Sequence, residues 1–131
     1  MYQGGVALYQ IILYKKPNGE CEIEEYLRDL GKRSLSDKDS RIKFRKINMY
    51  FEILRQYGTR IGEPVTKHIA DDIWELRPLQ ERLFYFYWKD NTFVILHHFT
   101  KASRKTPDLE IEKAKRNLKD FRERSGNNEK Y

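Results

Sequence analysis

The chain has 131 residues, enough for one domain with its own core and no staples. Hydrophobic residues make up 39% and aromatics 14%, with nine Tyr and seven Phe, which argues against a disordered chain. A net charge of +6 and an isoelectric point near 9.4 suit a polyanionic partner (nucleic acid, ribosome, anionic membrane or acidic protein), while the single cysteine, Cys21, rules out an internal disulfide and fits a reducing cytoplasm.

Residues 6–14 are dense in β-branched and aromatic side chains and stop at Lys15-Lys16-Pro17-Asn18-Gly19, which predicts a strand and a turn. The run is too short to cross a membrane, and Gln10 interrupts it. Ile23, Tyr26, Leu27 and Leu30 fall on one face of a short helix, with Gly31 as its expected C-terminal cap. Ser36-Asp37-Lys38-Asp39 reads as an N-cap with an acid three residues on. Phe44, Ile47, Phe51 and Leu54 then keep helical spacing to Tyr57, and Gly58 ends the run. Arg41, Lys43, Arg45, Lys46 and Arg55 lie outside, and the two helices form an expected hairpin.

From Thr66 the period becomes two. Residues 66–69 are a short strand and residues 73–77 alternate until Pro78. Residues 83–88 are almost wholly aromatic, Lys89-Asp90-Asn91 is a hairpin turn, and residues 92–99 form the antiparallel return. Thr106 and Pro107 open a last helix as N-cap and first helical residue, with Ile111, Ala114, Leu118 and Phe121 as its buried stripe. A polar tail follows Gly126. The expectation is one α+β domain over residues 1–126, a single antiparallel sheet with helices packed on it, and a tail over residues 127–131.

The chain carries no phosphate-binding glycine loop, no Gly-x-Ser-x-Gly and no His-Glu-x-x-His, so chemistry falls to scattered basic and histidine residues. Glu75 and Arg77 alternate with Trp74 and Leu76, the pattern of a wet sheet face. A tight turn through Pro78 would bring Arg77 near Arg82. Two guanidiniums so placed need an anion between them, either a phosphate or Glu75 or Glu81 of the chain itself. His97 and His98 face opposite sides of their strand. His97 shares alternation with Phe93, Ile95 and Phe99 and reads as core, leaving His98 as the surface candidate for acid–base work. Tyr85 and Tyr87 alternate with Phe84, Phe86 and Trp88, and one set could stack on bases, although packing under helices is the commoner use. Lys67 and His68 precede the sheet proper, and Lys101, Arg104 and Lys105 follow it.

Ile73-Trp74-Glu75-Leu76-Arg77-Pro78-Leu79 with Arg82, followed by His97-His98-Phe99-Thr100-Lys101 and Lys105-Thr106-Pro107, resembles the HigB branch of the RelE toxins, also described as phage-derived Gp49-like proteins. Gly58-Thr59-Arg60, Gly62-Glu63-Pro64 and Lys67-His68 fit the same pattern, and the likeness runs in order from Tyr9 to Arg124. The resemblance implies a RelE-like fold, with a helical hairpin and C-terminal helix on a curved antiparallel sheet. It implies a ribosome-dependent endoribonuclease that arrests translation by cleaving mRNA through 2′-hydroxyl attack, with no metal and no cofactor. It also implies neutralisation by a cognate helix-turn-helix antitoxin, HigA-like, in a toxin–antitoxin hetero-oligomer. Carried over by position, Arg77 and Arg82 take the phosphate, Lys101 is a second phosphate contact or an acid, and His98 is the acid–base candidate. Lys67 and His68 stand on the rim, and Arg104 and Lys105 face RNA or ribosome. Tyr131 is given no part. Two alternatives stay open: a catalytically weak module that binds RNA, ribosome or protein, and, last, a structural phage protein.

Overall fold

A computed structural model describes residues 8–126. The chain runs β1 (Gln10–Leu13), α1 (Glu22–Arg33), α2 (Lys38–Tyr57), a 3-10 turn (Gly58–Ile61), β2 (Thr66–Ala70), β3 (Ile73–Leu76), β4 (Glu81–Tyr87), β5 (Thr92–Thr100) and α3 (Asp108–Gly126). The α+β class and the expected order of elements hold. The start of the first strand at residues 6 and 7 and the tail over residues 127–131 lie outside the described residues.

The five strands form one sheet in the order β1-β5-β4-β3-β2. Neighbours are antiparallel except β1 and β5, which pair in parallel from Gln10 opposite Thr92 to Leu13 opposite Ile95. This corrects the expectation of a purely antiparallel sheet. No hairpin joins β1 to β5, because the helical pair and three strands intervene, so no short turn dictates their relative direction.

Helices cover both faces. On one, Ile23 and Leu30 of α1 and Ile47, Phe51 and Leu54 of α2 pack on Leu76, Leu83, Tyr85, Phe93 and Ile95. On the other, Ala114, Leu118 and Phe121 of α3 pack on Ile73, Phe84, Phe86, Val94 and Leu96. A central strand buried on both faces reads as a continuous apolar run, which explains the aromatic density of β4. Tyr85 belongs to the core, its hydroxyl 2.7 Å from that of Thr66, whereas Tyr87 is exposed and its hydroxyl accepts the Asn91 N–H.

The hairpin departs from expectation at Gly31, which lies inside α1 and does not cap it. A Cβ at Gly31 would stand 3.2 Å from the Phe44 ring, so this glycine lets α1 and α2 approach. The cap of α2 is Asp37, whose carboxylate accepts the Ser40 N–H and hydroxyl. The helix ends at Gly58, whose φ of 62° and ψ of −155° suit glycine. Asp90 and Asn91 turn the β4–β5 hairpin with φ of 51° and 54°, the two-residue geometry that matches strand twist.

Two corrections concern β5 and α3. The β4–β5 register steps from Tyr85 opposite Ile95 to Phe84 opposite His97, so Leu96 is an extra residue and a bulge. At α3, the Thr106 hydroxyl donates to Glu75 and does not cap the helix, whose first N–H donors, from Glu110 and Ile111, reach the Pro107 carbonyl.

Candidate functional site

Counting across the sheet places Lys67, Glu75, Phe84 and His97 in one row, each opposite the next, on the α3 face. Arg82 lies opposite Phe99 on the same face, where α3 has not yet begun and the segment 101–107 crosses the end of the sheet.

Glu75 is the centre of this end. It is 1% exposed, and the expectation of a wet face at this position is overturned. The reason lies in what covers the strand: β3 is an inner strand, and the segment before α3 closes over it. One Glu75 oxygen stands 3.4 Å from Arg77 Nε and 3.9 Å from Arg82 Nε; the other accepts the Thr106 hydroxyl at 3.4 Å. The two arginines do come together, then, and the anion between them is Glu75. Glu81 is engaged elsewhere: 2% exposed, it accepts the Tyr26 hydroxyl and, at 2.7 Å, that of Thr100, with Lys43 Nζ at 4.0 Å.

Each arginine is held a second time. Arg77 Nη1 donates to Glu63 at 3.3 Å, and Arg82 Nη1 to the carbonyls of Leu79 and Glu81 at 2.7 and 2.8 Å. Leu79 has a φ of 57°, an uncommon conformation for a bulky residue, and the Arg82 bond ties that strained turn to the site. Burial lowers the Arg82 pKa, with Arg77 acting in the same direction and Glu75 opposing it. The Nε–H groups of both arginines are buried and lack a hydrogen-bond partner of good geometry.

Beside Arg82 an open groove is lined by Gln80, Lys101, Ala102, Ser103 and Arg104. Lys101 is fixed at its backbone, where its N–H donates to the Gln80 carbonyl at 2.7 Å. Lys105 follows in the same exposed segment, its carbonyl accepting the Ser103 hydroxyl. Lys67 is exposed opposite Glu75. Such a cluster can hold phosphate oxygens by its forked and point-charge donors.

The structure does not bring His68 or His98 into this group. His68 sits edge-on to Trp74 on the hairpin face, with Nε2 2.6 Å from the Asp71 carbonyl. His98 is half-buried on the hairpin face, stacked on Tyr26 at 4.3 Å between centroids. It is His97 that shares the arginine face, half-buried with Nε2 3.3 Å from Glu110. The bulge at Leu96 reverses the alternation counted from Phe93, so His97 leaves the face of Phe93 and Ile95, and His98, expected at the surface, is half-buried like its neighbour. Sequence reasoning also missed Thr106 as a partner of Glu75. Its position just before a proline suggested a cap, and only the crossing of segment 101–107 over the sheet reveals the contact.

Among the described residues no group of three or more His, Cys, Asp or Glu is arranged to hold a metal ion, and no helix is long and apolar enough to cross a membrane. A model of the family described as phage derived protein Gp49-like (DUF891) matches residues 33–119. That stretch includes Glu75, Arg77, Arg82, Lys101 and Thr106. No curated protein matches the chain.

Proposed function

The chain belongs to the Gp49-like family of phage-derived proteins, a family of RelE/HigB-like toxins, and from that premise we propose that it is a HigB-type toxin that cleaves translated mRNA on the ribosome. The observation that carries this reading is the pair Arg77 and Arg82, gathered on one sheet face beside the groove of Lys101 and Arg104. In the proposed reaction an RNA 2′-hydroxyl oxygen attacks the adjacent phosphorus and gives up its proton to a base. The bond to the 5′ oxygen breaks, and that oxygen takes a proton, leaving a 2′,3′-cyclic phosphate and a 5′-hydroxyl. Arg77 and Arg82 hold the phosphate's non-bridging oxygens as charge builds there. Lys101 supplies the leaving oxygen's proton, and Lys67, Arg104 and Lys105 hold flanking phosphates. His98 and His68, on the hairpin face, take no part. No metal enters this scheme. The partners are a cognate helix-turn-helix antitoxin, HigA-like, in a hetero-oligomer, and the ribosome with its mRNA; the setting is the cytoplasm.

A second reading, a module that occupies RNA without cutting it, draws on Glu75, which already neutralises part of the arginine pair. The two readings part in one experiment: mapping mRNA 5′ ends on programmed ribosomes with purified wild type, Arg82→Ala, Arg82→Lys and Lys101→Ala. The nuclease reading expects new ends in the decoding region with wild type, and their loss in all three variants. Arg82→Lys keeps the charge but not the fork, so its failure would tie the effect to bidentate phosphate holding. No new ends with folded wild type would favour the binding module.

A further inference from the structure

We propose that Glu75 is a positioning residue that holds Arg77 and Arg82 side by side for a phosphate and does so at the expense of RNA affinity; the proposal rests on the phosphate-cleaving reading above. A carboxylate 1% exposed needs partners, and Glu75 has three: Arg77, Arg82 and Thr106. None of them closes on it. The distances of 3.4, 3.9 and 3.4 Å exceed the roughly 2.7–2.9 Å of a tight charge-assisted bond, and both Nε–H groups stay without a good acceptor. The far ends are fixed, Arg77 on Glu63 and Arg82 on the Leu79 and Glu81 carbonyls. Among the described residues the Nη2 group of each arginine donates to nothing, so these are the edges left for a ligand.

Two guanidiniums this close repel, and the buried carboxylate between them makes their approach possible. The same negative charge lowers the site's pull on any phosphate. Removing the charge while keeping the shape therefore has two effects of opposite sign. The arginines lose their common anchor, which slows the chemical step, and the site gains positive potential, which strengthens RNA binding. A purely structural residue would weaken both, and a plain electrostatic neighbour would strengthen both.

The test compares wild type, Glu75→Gln and Thr106→Val in cleavage on programmed ribosomes, in affinity for a short single-stranded RNA, and in exchange of the arginine Nε–H protons by NMR. Glu75→Gln is expected to cut at least about tenfold more slowly at saturating ribosomes, as a displaced reacting group should. Its RNA affinity is expected to be equal to or tighter than wild type, because one net positive charge is gained. Burial should make the Arg77 and Arg82 Nε–H protons exchange slowly in wild type, and that protection should be lost in Glu75→Gln as the guanidiniums leave their common anchor and reach solvent. Thr106→Val keeps the charge, lies in an accessible segment and should lose about threefold in rate with affinity unchanged. Cleavage and affinity falling together, or cleavage unchanged in both variants, would overturn the proposal. Should Glu75→Gln fail to fold, Thr106→Val decides alone, and an unchanged rate refutes it. Should wild type cut nothing, the nuclease reading falls by itself. The exchange measurement then decides: protons equally protected in wild type and Glu75→Gln refute the positioning role, and protection lost only in the variant supports it.

Discussion

Adjacent in β5, His97 and His98 lead different lives, yet both imidazoles are held below their ordinary range. Burial is the main cause for each. For His97 the Glu110 hydrogen bond pulls the other way, and for His98 the neighbouring His97 adds to the effect while Glu81 and Glu22 oppose it. A histidine whose folded pKa lies below its unfolded one binds fewer protons folded than unfolded. Its stabilising contribution is complete above the unfolded value near 6.5 and is lost as pH falls below it. The melting temperature should therefore drop from pH 7.5 to 5. In His98→Phe, which keeps a flat ring on Tyr26, the drop should be shallower; an unchanged slope would acquit His98. The Tyr26 phenol is pushed above its usual range by burial and by its bond to Glu81, so it remains a neutral donor throughout this window.

Gly58, at the element scale, links the helical hairpin to the sheet. Its backbone occupies a region essentially reserved for glycine, and a Cβ would lie 3.0 Å from the Tyr9 ring. Gly58→Ala should cost about 1–3 kcal/mol in chemical denaturation, whereas a loss under about 0.5 kcal/mol would mean that turn and ring relax freely. This glycine was legible in the sequence, since it ended a periodic run at Tyr57. So was the hairpin turn, because Asp90 and Asn91 tolerate positive φ. Gly31 looked the same on paper but serves a different end. Ring contact with Phe44 depends on where a second helix lies, which local pattern does not encode. The bulge at Leu96 hid for a related reason: every residue around it is apolar or aromatic, so alternation carried no mark of the slip. That one omission exchanged the two histidines. Arg77 and Arg82 were legible as neighbours because the Pro78 turn is local, and Glu75 was one of the two acids in reach of them; its burial was not legible, because it depends on the crossing segment that brings Thr106 over the sheet.

Across the whole molecule, two layers of helix clamp a sheet buried on both faces. α3 holds its side largely through Phe121, whose ring meets Phe86 at 5.7 Å and Trp88 at 4.9 Å. Phe121→Ala should cost about 3–5 kcal/mol, measured as a shift in urea midpoint with unchanged slope. A midpoint within experimental error of wild type would mean that α3 is not held there. The α+β order followed from periodicity, since helical and strand spacings change cleanly at Thr66. The parallel pairing of β1 with β5 did not, because it joins residues with most of the chain between them. That pairing has a consequence for the timing of synthesis. The partner of Gln10 is Thr92, so about 80 further residues must be made before β1 can dock. At roughly 5–20 residues per second this is a wait of about 4–16 s. Throughout it β1 stays undocked and the nascent chain lacks both β5 and Lys101, so a protein proposed to attack ribosomes is unfinished while it is still attached to the one that makes it.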